Sequence, residues 1–131
     1  MTVAGIKADI VTQLKTISSL KRVYDHLPEE VNKIPCAMVL PKSATYETLA
    51  GRTVNHTLEV TLLVKRVGDL VEGQEDLDSY LDDSTGANSI CHWIEQSTNY
   101  SMRVVGFRDY GGFTYGNGQF IGCKFDVICL D

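Results

Sequence analysis

From the first residues, apolar side chains recur every three or four positions. Val3, Ile6, Ile10, Leu14 and Ile17 form one stripe, with Lys7, Asp9, Gln13 and Lys15 between them. That period predicts an amphipathic helix over residues 3–18, closed by Ser18-Ser19. "LKRVYDHLP" then reads as a short strand around Arg22–Asp25 that turns at Pro28. The apolar run Ile34 to Leu40 carries Pro35 and Pro41 at its two ends. A proline cannot donate to a ladder, so the pair marks strand ends or a sheet edge.

Residues 42–55 are polar with Gly51-Arg52 near the middle, which reads as a long loop or an extended hairpin arm. "HTLEVTLLVKR" alternates cleanly: Leu58, Val60, Leu62 and Val64 share one face, and Thr57, Glu59, Thr61 and Lys65 share the other, where Leu63 is the one apolar exception. Leu70, Leu77, Tyr80 and Leu81 predict a second helix, interrupted or started late because of Gly73. Asp83, Ser84 or Ser89 can cap a short third helix through Ile90, Trp93 and Ile94, ending near residues 97–99. "SMRVVGFRDY" predicts a strand. The closing strand sets Ile121, Cys123, Phe125, Val127 and Cys129 on one face and Lys124 and Asp126 on the other. The order is helix, three or four strands, two helices, two strands. It predicts an α+β fold, a mostly antiparallel sheet with an N-terminal helix and one or two central helices packed on one face.

Length adds that this is one domain, residues 1–131, large enough for a core without disulfides or metal. The net charge of −5, from 17 acidic and 12 basic residues, disfavours a protein that grips nucleic-acid phosphates. No stretch approaches the roughly 18 apolar residues of a membrane span, and the first residues lack the pattern of a signal peptide. Cys36, Cys91, Cys123 and Cys129 are widely spaced, with no C-x-x-C pair, and read as free core thiols.

Candidate chemistry is tested most sharply by "GGFTYGNG", which holds four of the eleven glycines. A dinucleotide fingerprint needs G-x-G-x-x-G between a strand and a helix, and a P-loop needs Gly-Lys-Ser/Thr. Here a strand follows and no lysine appears until Lys124. Asn117-Gly118 instead signals a hairpin turn. His26, His56 and His92 are isolated from one another and lack zinc-ligand spacing. A meeting of Cys123 with His56 in space stays open, but Cys123 lies on an apolar strand face, where a thiolate is disfavoured. The acidic run "EGQEDLDSYLDD" lacks the order of a calcium loop and reads as a solvated helix face, or as an acidic rim that repels DNA. Tyr46, Tyr110, Phe113 and Tyr115 fall in turn or loop regions, as interface anchors or core. No catalytic constellation, cofactor site or metal site emerges, and the expectation is a non-enzymatic domain. The different-class alternative is a small cysteine or histidine hydrolase, which needs Cys91 or Cys123 exposed and reactive.

Across nearly its whole length the chain resembles the tail terminator, or tail completion, proteins of long-tailed bacteriophages. The likeness is carried by the order of elements and by the segments "RVYDHLPEEV", "IPCAMVLP", "HTLEVTLLVKR", "LDSYLDDSTGANSICHWIE" and "GCKFDVICL". It departs in its cysteine content and in the detail of 42–55. The resemblance implies a homo-hexameric ring in the virion neck, assembled in the host cytoplasm. Such a ring caps the tail tube, ends its polymerisation and joins the tail to the head through a connector or stopper protein. DNA passes through its lumen without specific binding, and no membrane is involved. Tyr46, Glu47, Leu49, Arg52, Phe113 and Tyr115 become candidate interface residues, and Glu75, Asp76, Asp78 and Asp82 a candidate acidic lumen or rim. Another neck component, a head-completion or stopper protein, is the alternative.

Overall fold

The computed structural model describes residues 3–29, 31, 33–46, 54–66, 68, 70–81, 88–116 and 118–130, with backbone alone at 45, 46, 54, 70–72 and 130. The elements are α1 Val3–Leu14, β1 Arg22–Tyr24, β2 Cys36–Tyr46, β3 Val54–Arg66, α2 Leu70–Asp78, α3 Ile90–Glu95, β4 Ser101–Tyr115 and β5 Gly118–Leu130. The fold is α+β. One five-stranded sheet has the order β1-β2-β3-β5-β4, antiparallel throughout except where β1 runs parallel to β2.

All three helices lie on one face of this sheet. Ile6, Ile10, Leu14 and Ile17 pack with Leu77, Tyr80, Ile90 and Ile94 onto Leu58, Val60 and Leu62 of β3 and Ile121, Cys123, Phe125, Val127 and Cys129 of β5. These are the positions that the period-two pattern assigns to one face. Burying each such side chain contributes about 1.5–3 kcal/mol. Leu63, the apolar exception on the second face of β3, is fully buried there with Val31, Cys36, Met38 and Phe120. That smaller cluster packs the helix-free face at one end of the sheet.

Element boundaries differ from the expectation for local reasons. α1 ends at Leu14, and the chain continues in tight turns, Thr16 N donating to Gln13 O at 3.2 Å and Ile17 N to Leu14 O at 3.0 Å. Ile17 therefore stays in the core outside the helix. Pro41 lies inside β2 and does not end it. β1 pairs only with Cys36–Met38, so the outer edge of β2 beyond them has no strand partner among the described residues, and a register shift follows at Pro41/Ser43. A missing N–H is tolerated at such an edge. The polar segment is thus an extended arm, β2 running to Tyr46 and β3 starting at Val54, while its tip lies outside the described residues.

α2 runs through Gly73, where a Cβ would stand 2.5 Å from Ile121 Cδ1; the glycine lets the helix sit close on β5. Ser89 is the cap of α3, its hydroxyl accepting from His92 N at 3.1 Å, and the helix ends at Glu95. Candidate caps Asp83 and Ser84 lie outside the described residues. β4 continues through Gly111-Gly112 to Tyr115, which pairs with Gly118. The two-residue connection is therefore 116–117, one position earlier than Asn117-Gly118, and Gly116 takes φ +49°. That conformation favours glycine.

Candidate functional site

Two surfaces stand out once the sheet is assembled: its helix-free face and its open edges. On the helix-free face, Glu59 of β3 lies directly opposite Asp126 of β5. Like charges in register destabilise a sheet unless something bridges them. Arg108 does so from β4: Nε donates to Asp126 Oδ2 at 3.1 Å, Nη2 to Glu59 Oε2 at 2.5 Å, and Nη1 to the neighbouring Asp109 Oδ2 at 2.8 Å. Lys42 of β2 reaches Asp126 at 3.1 Å and Lys124 reaches Glu59 at 3.5 Å. The guanidinium holds its proton more tightly than usual, first through its hydrogen bond to Asp126 and then that to Glu59. Burial pushes the Asp126 carboxyl up, but hydrogen bonds from Arg108 and Lys42, and their charges, outweigh it and leave it below the ordinary value. The network ties four strands together across a face that no helix covers.

Beside this network is a groove of about 260 Å³, lined by Leu27, Met38, Leu40, Leu63, Phe113 and Tyr115 among others. Phe113 and Tyr115 lie in β4, not in a turn or loop. They pack against the small cluster of Val31, Cys36, Met38, Leu63 and Phe120. The Tyr115 hydroxyl donates to Pro28 O at 2.5 Å, and Lys124 Nζ sits 5.7 Å from the Phe113 ring centroid. Both rings are half-buried. Tyr46 and Tyr110 also lie in strands, β2 and β4, and not in loops. The side chain of Tyr46, and residues Glu47, Leu49, Arg52 and Asp82 as a whole, lie outside the described residues.

Among the described residues, the edge formed by β4 carries three of the four exposed large apolar side chains: Val105 is 60% exposed, Phe107 49% and Tyr110 39%. Register shifts at Val104/Gly106 and Arg108/Gly111 interrupt the ladder on its inner side. The doubled valine Val104-Val105 was the one hint in the sequence, since two successive apolar residues break strand alternation. α2 borders this edge. Glu75, Asp76 and Asp78 are exposed on it, and the Tyr110 hydroxyl donates to Asp78 Oδ1 at 2.8 Å. Burial, and then the Asp78 carboxylate, raise the Tyr110 pKa.

At the opposite edge, Lys15, Lys21 and Arg22 line a concavity of about 410 Å³ together with Leu20 and Val23. Sequence reading missed this group, although it lies within residues 15–22, because the tight turns between Lys15 and Lys21 carry no periodic signal. It also missed Asp9, placed among the polar positions of the first helix. Asp9 is only 8% exposed, and accepts hydrogen bonds from Ser97 Oγ and, at 3.0 Å, from Asn99 Nδ2. It fastens α1 to the segment entering β4.

The thiols are placed for packing. Cys36, Cys123 and Cys129 are fully buried, and Cys91 is half-buried with its Sγ donating to Glu95 Oε2 at 3.3 Å. Burial pushes Cys36 up to about 11 and Cys123 up to about 12. Cys123 stands opposite Leu62, and the residue across from His56 is Cys129. The structure therefore does not bring Cys123 and His56 together as cross-strand neighbours. No helix of the described residues is long and apolar enough to cross a membrane.

The arrangement defines an α+β sheet domain whose distinctive chemistry is on its surfaces: an ion-paired open face, an apolar edge and a basic edge. No protein-family model matches the chain, and no curated protein matches it either.

Proposed function

We propose that the chain is a structural subunit of a ring in the neck of a long-tailed bacteriophage, where it caps the tail tube, ends its polymerisation and joins the tail to the head. The observation that carries this reading is the long β4 edge, with Val105, Phe107 and Tyr110 exposed on it. An open edge with apolar side chains is costly in a monomer and useful in an assembly. The sequence resemblance supplies the assembly. The extended β2–β3 arm supports it as well, since a ladder continuing to Tyr46 and Val54 carries the chain beyond the pairing with β1 and toward a neighbour or the tube. The net charge of −5 suits a lumen through which DNA must slide. Burial of Cys123, which raises its thiol value, argues against the hydrolase alternative at that residue.

Deleting the gene from the phage that encodes it tests the reading. The expected products are DNA-filled heads and separate, overlong tails. Heads that leak DNA beside tails of normal length point to a stopper protein instead. Fully normal particles overturn the ring reading.

A further inference from the structure

Thr61 sits in the middle of β3 on the helix-free face, in register with Met38 of β2 and Lys124 of β5. It is only 9% exposed, and its hydroxyl has no hydrogen-bond partner among the described residues. A hydroxyl taken this far from bulk water without a partner costs free energy, and such a group calls for an explanation. No fully buried side-chain oxygen or nitrogen among the described residues lacks a partner. The Thr61 oxygen is therefore not sealed in. The space it opens on is the groove of about 260 Å³, whose lining includes it.

The rest of that lining defines what fits. Fully buried Met38 and Leu63, half-buried Leu40 and Phe113, and exposed Leu27 supply apolar surface. Its two described charges answer each other: Lys124 reaches Glu59 at 3.5 Å, and Glu59 is also held by Arg108. A charged ligand would have to compete with that pair, whereas a neutral one leaves it intact. A cavity of about 150 Å³ lined by aliphatic and aromatic side chains holds a benzene ring, so this groove has room for one substituted ring. A ring also makes favourable contacts with the Met38 thioether and the Phe113 ring.

We infer that this groove is a binding site for a small neutral phenol: one aromatic ring packs on Met38, Leu63 and Phe113, and its hydroxyl pairs with Thr61 Oγ1. Threonine and phenol hydroxyls each donate and accept, so one bond satisfies both groups. The lining comes from β2, β3, β4, β5 and the segment after β1 of a single chain. The site therefore needs no second copy, and it is independent of the neck role proposed above.

Nuclear magnetic resonance titration of the isotope-labelled whole chain tests it, with p-cresol as the probe and toluene and p-toluate for comparison. p-Cresol should shift the backbone amides of Met38, Thr61, Leu63 and Phe113 saturably, with a Kd of about 1 mM for so small a ligand. p-Toluate, the same ring with a charge, should bind at least about tenfold more weakly. Thr61→Val keeps the shape of the side chain and removes its hydroxyl. It should weaken p-cresol about three- to tenfold and leave toluene within about twofold. Its urea midpoint should not fall, because no bond within the protein is lost. N-Acetyltyrosinamide separates the two sources of a phenol: affinity equal to that of p-cresol assigns the site to a tyrosine side chain, and affinity about tenfold weaker to a free phenol. No saturable shift at these amides, as when water alone serves the hydroxyl, overturns the site. So does a Thr61→Val protein that binds p-cresol like wild type, or one whose urea midpoint drops. Tighter binding of p-toluate than of p-cresol overturns the neutral class.

Discussion

Gly122 is where the sheet tolerates the least. It lies in β5 opposite Leu63, next to the register shift at Leu63/Lys65. A Cβ there would stand 1.9 Å from the Leu62 carbonyl oxygen, 3.0 Å from its carbon and 3.2 Å from Leu63 Cα. Carbon–oxygen contacts between strands are ordinarily about 3.3 Å or more, so Gly122→Ala must part β3 from β5 by roughly 1.4 Å. Ladder bonds near 2.9 Å do not survive that opening. Losing about two of them at about 1 kcal/mol each, with about 1–3 kcal/mol of overpacking, predicts a loss of roughly 3–5 kcal/mol. Domains of this kind hold about 5–15 kcal/mol in all, so a large share of the stability is at risk. At about 4 °C per kcal/mol the melting temperature should fall by roughly 12–20 °C. Urea unfolding at room temperature, followed by circular dichroism, measures the loss directly. Gly106→Ala is the control, because nothing lies within 4 Å of its Cβ position. Gly73→Ala is the intermediate case: its neighbour is the mobile end of Ile121, and a helix gain of about 1 kcal/mol offsets the rotamer cost. Equal midpoints for Gly122→Ala and Gly106→Ala would refute the close-approach argument.

Leu63→Ala should cost about 2–5 kcal/mol although no helix covers its face, because the side chain is fully buried; a urea-derived loss under about 1 kcal/mol would mean that the small cluster does not pack. Asp126 is held below its ordinary value, so its ion pairs stabilise the fold above the unfolded carboxyl value of about 3.9, and that contribution is lost as pH falls through the folded value. Asp126→Asn should therefore be less stable than wild type near neutral pH, with the gap closing below about pH 4; the same gap in both ranges would sink the assignment. A water-soluble thiol reagent should label Cys91 alone in the folded protein and all four cysteines after unfolding, and rapid labelling of Cys123 at neutral pH would revive cysteine chemistry. Asp9→Ala should destabilise the fold by about 1–3 kcal/mol, since Ser97 and Asn99 lose their shared acceptor; the same urea measurement reads it.

Local periodicity determined much of this protein. Alternation in "HTLEVTLLVKR" and "FIGCKFDVICL" defined which residues of β3 and β5 face the helices, because a strand turns each side chain through half a revolution whatever its neighbours are. The four-residue spacing of Ile6, Ile10 and Leu14 did the same for α1, whereas for α3 the sequence offered Asp83, Ser84 or Ser89 as the cap and the fold used Ser89. The tertiary structure decided what depends on who lies next to whom. Pro41 remained inside a strand because the outer edge beside it is open. Glu59 and Asp126 became one site only when β3 and β5 aligned and Arg108 arrived from β4. Gly122 became indispensable because a carbonyl from another strand stands where its Cβ would be. Val105 and Phe107 stay exposed because β4 came last in the sheet order, and the cations of residues 15, 21 and 22 converged because α1 and β1 meet at the other end of that order. Pattern is a property of one segment, whereas burial, charge pairing and open edges belong to pairs of segments, and only folding brings those pairs together.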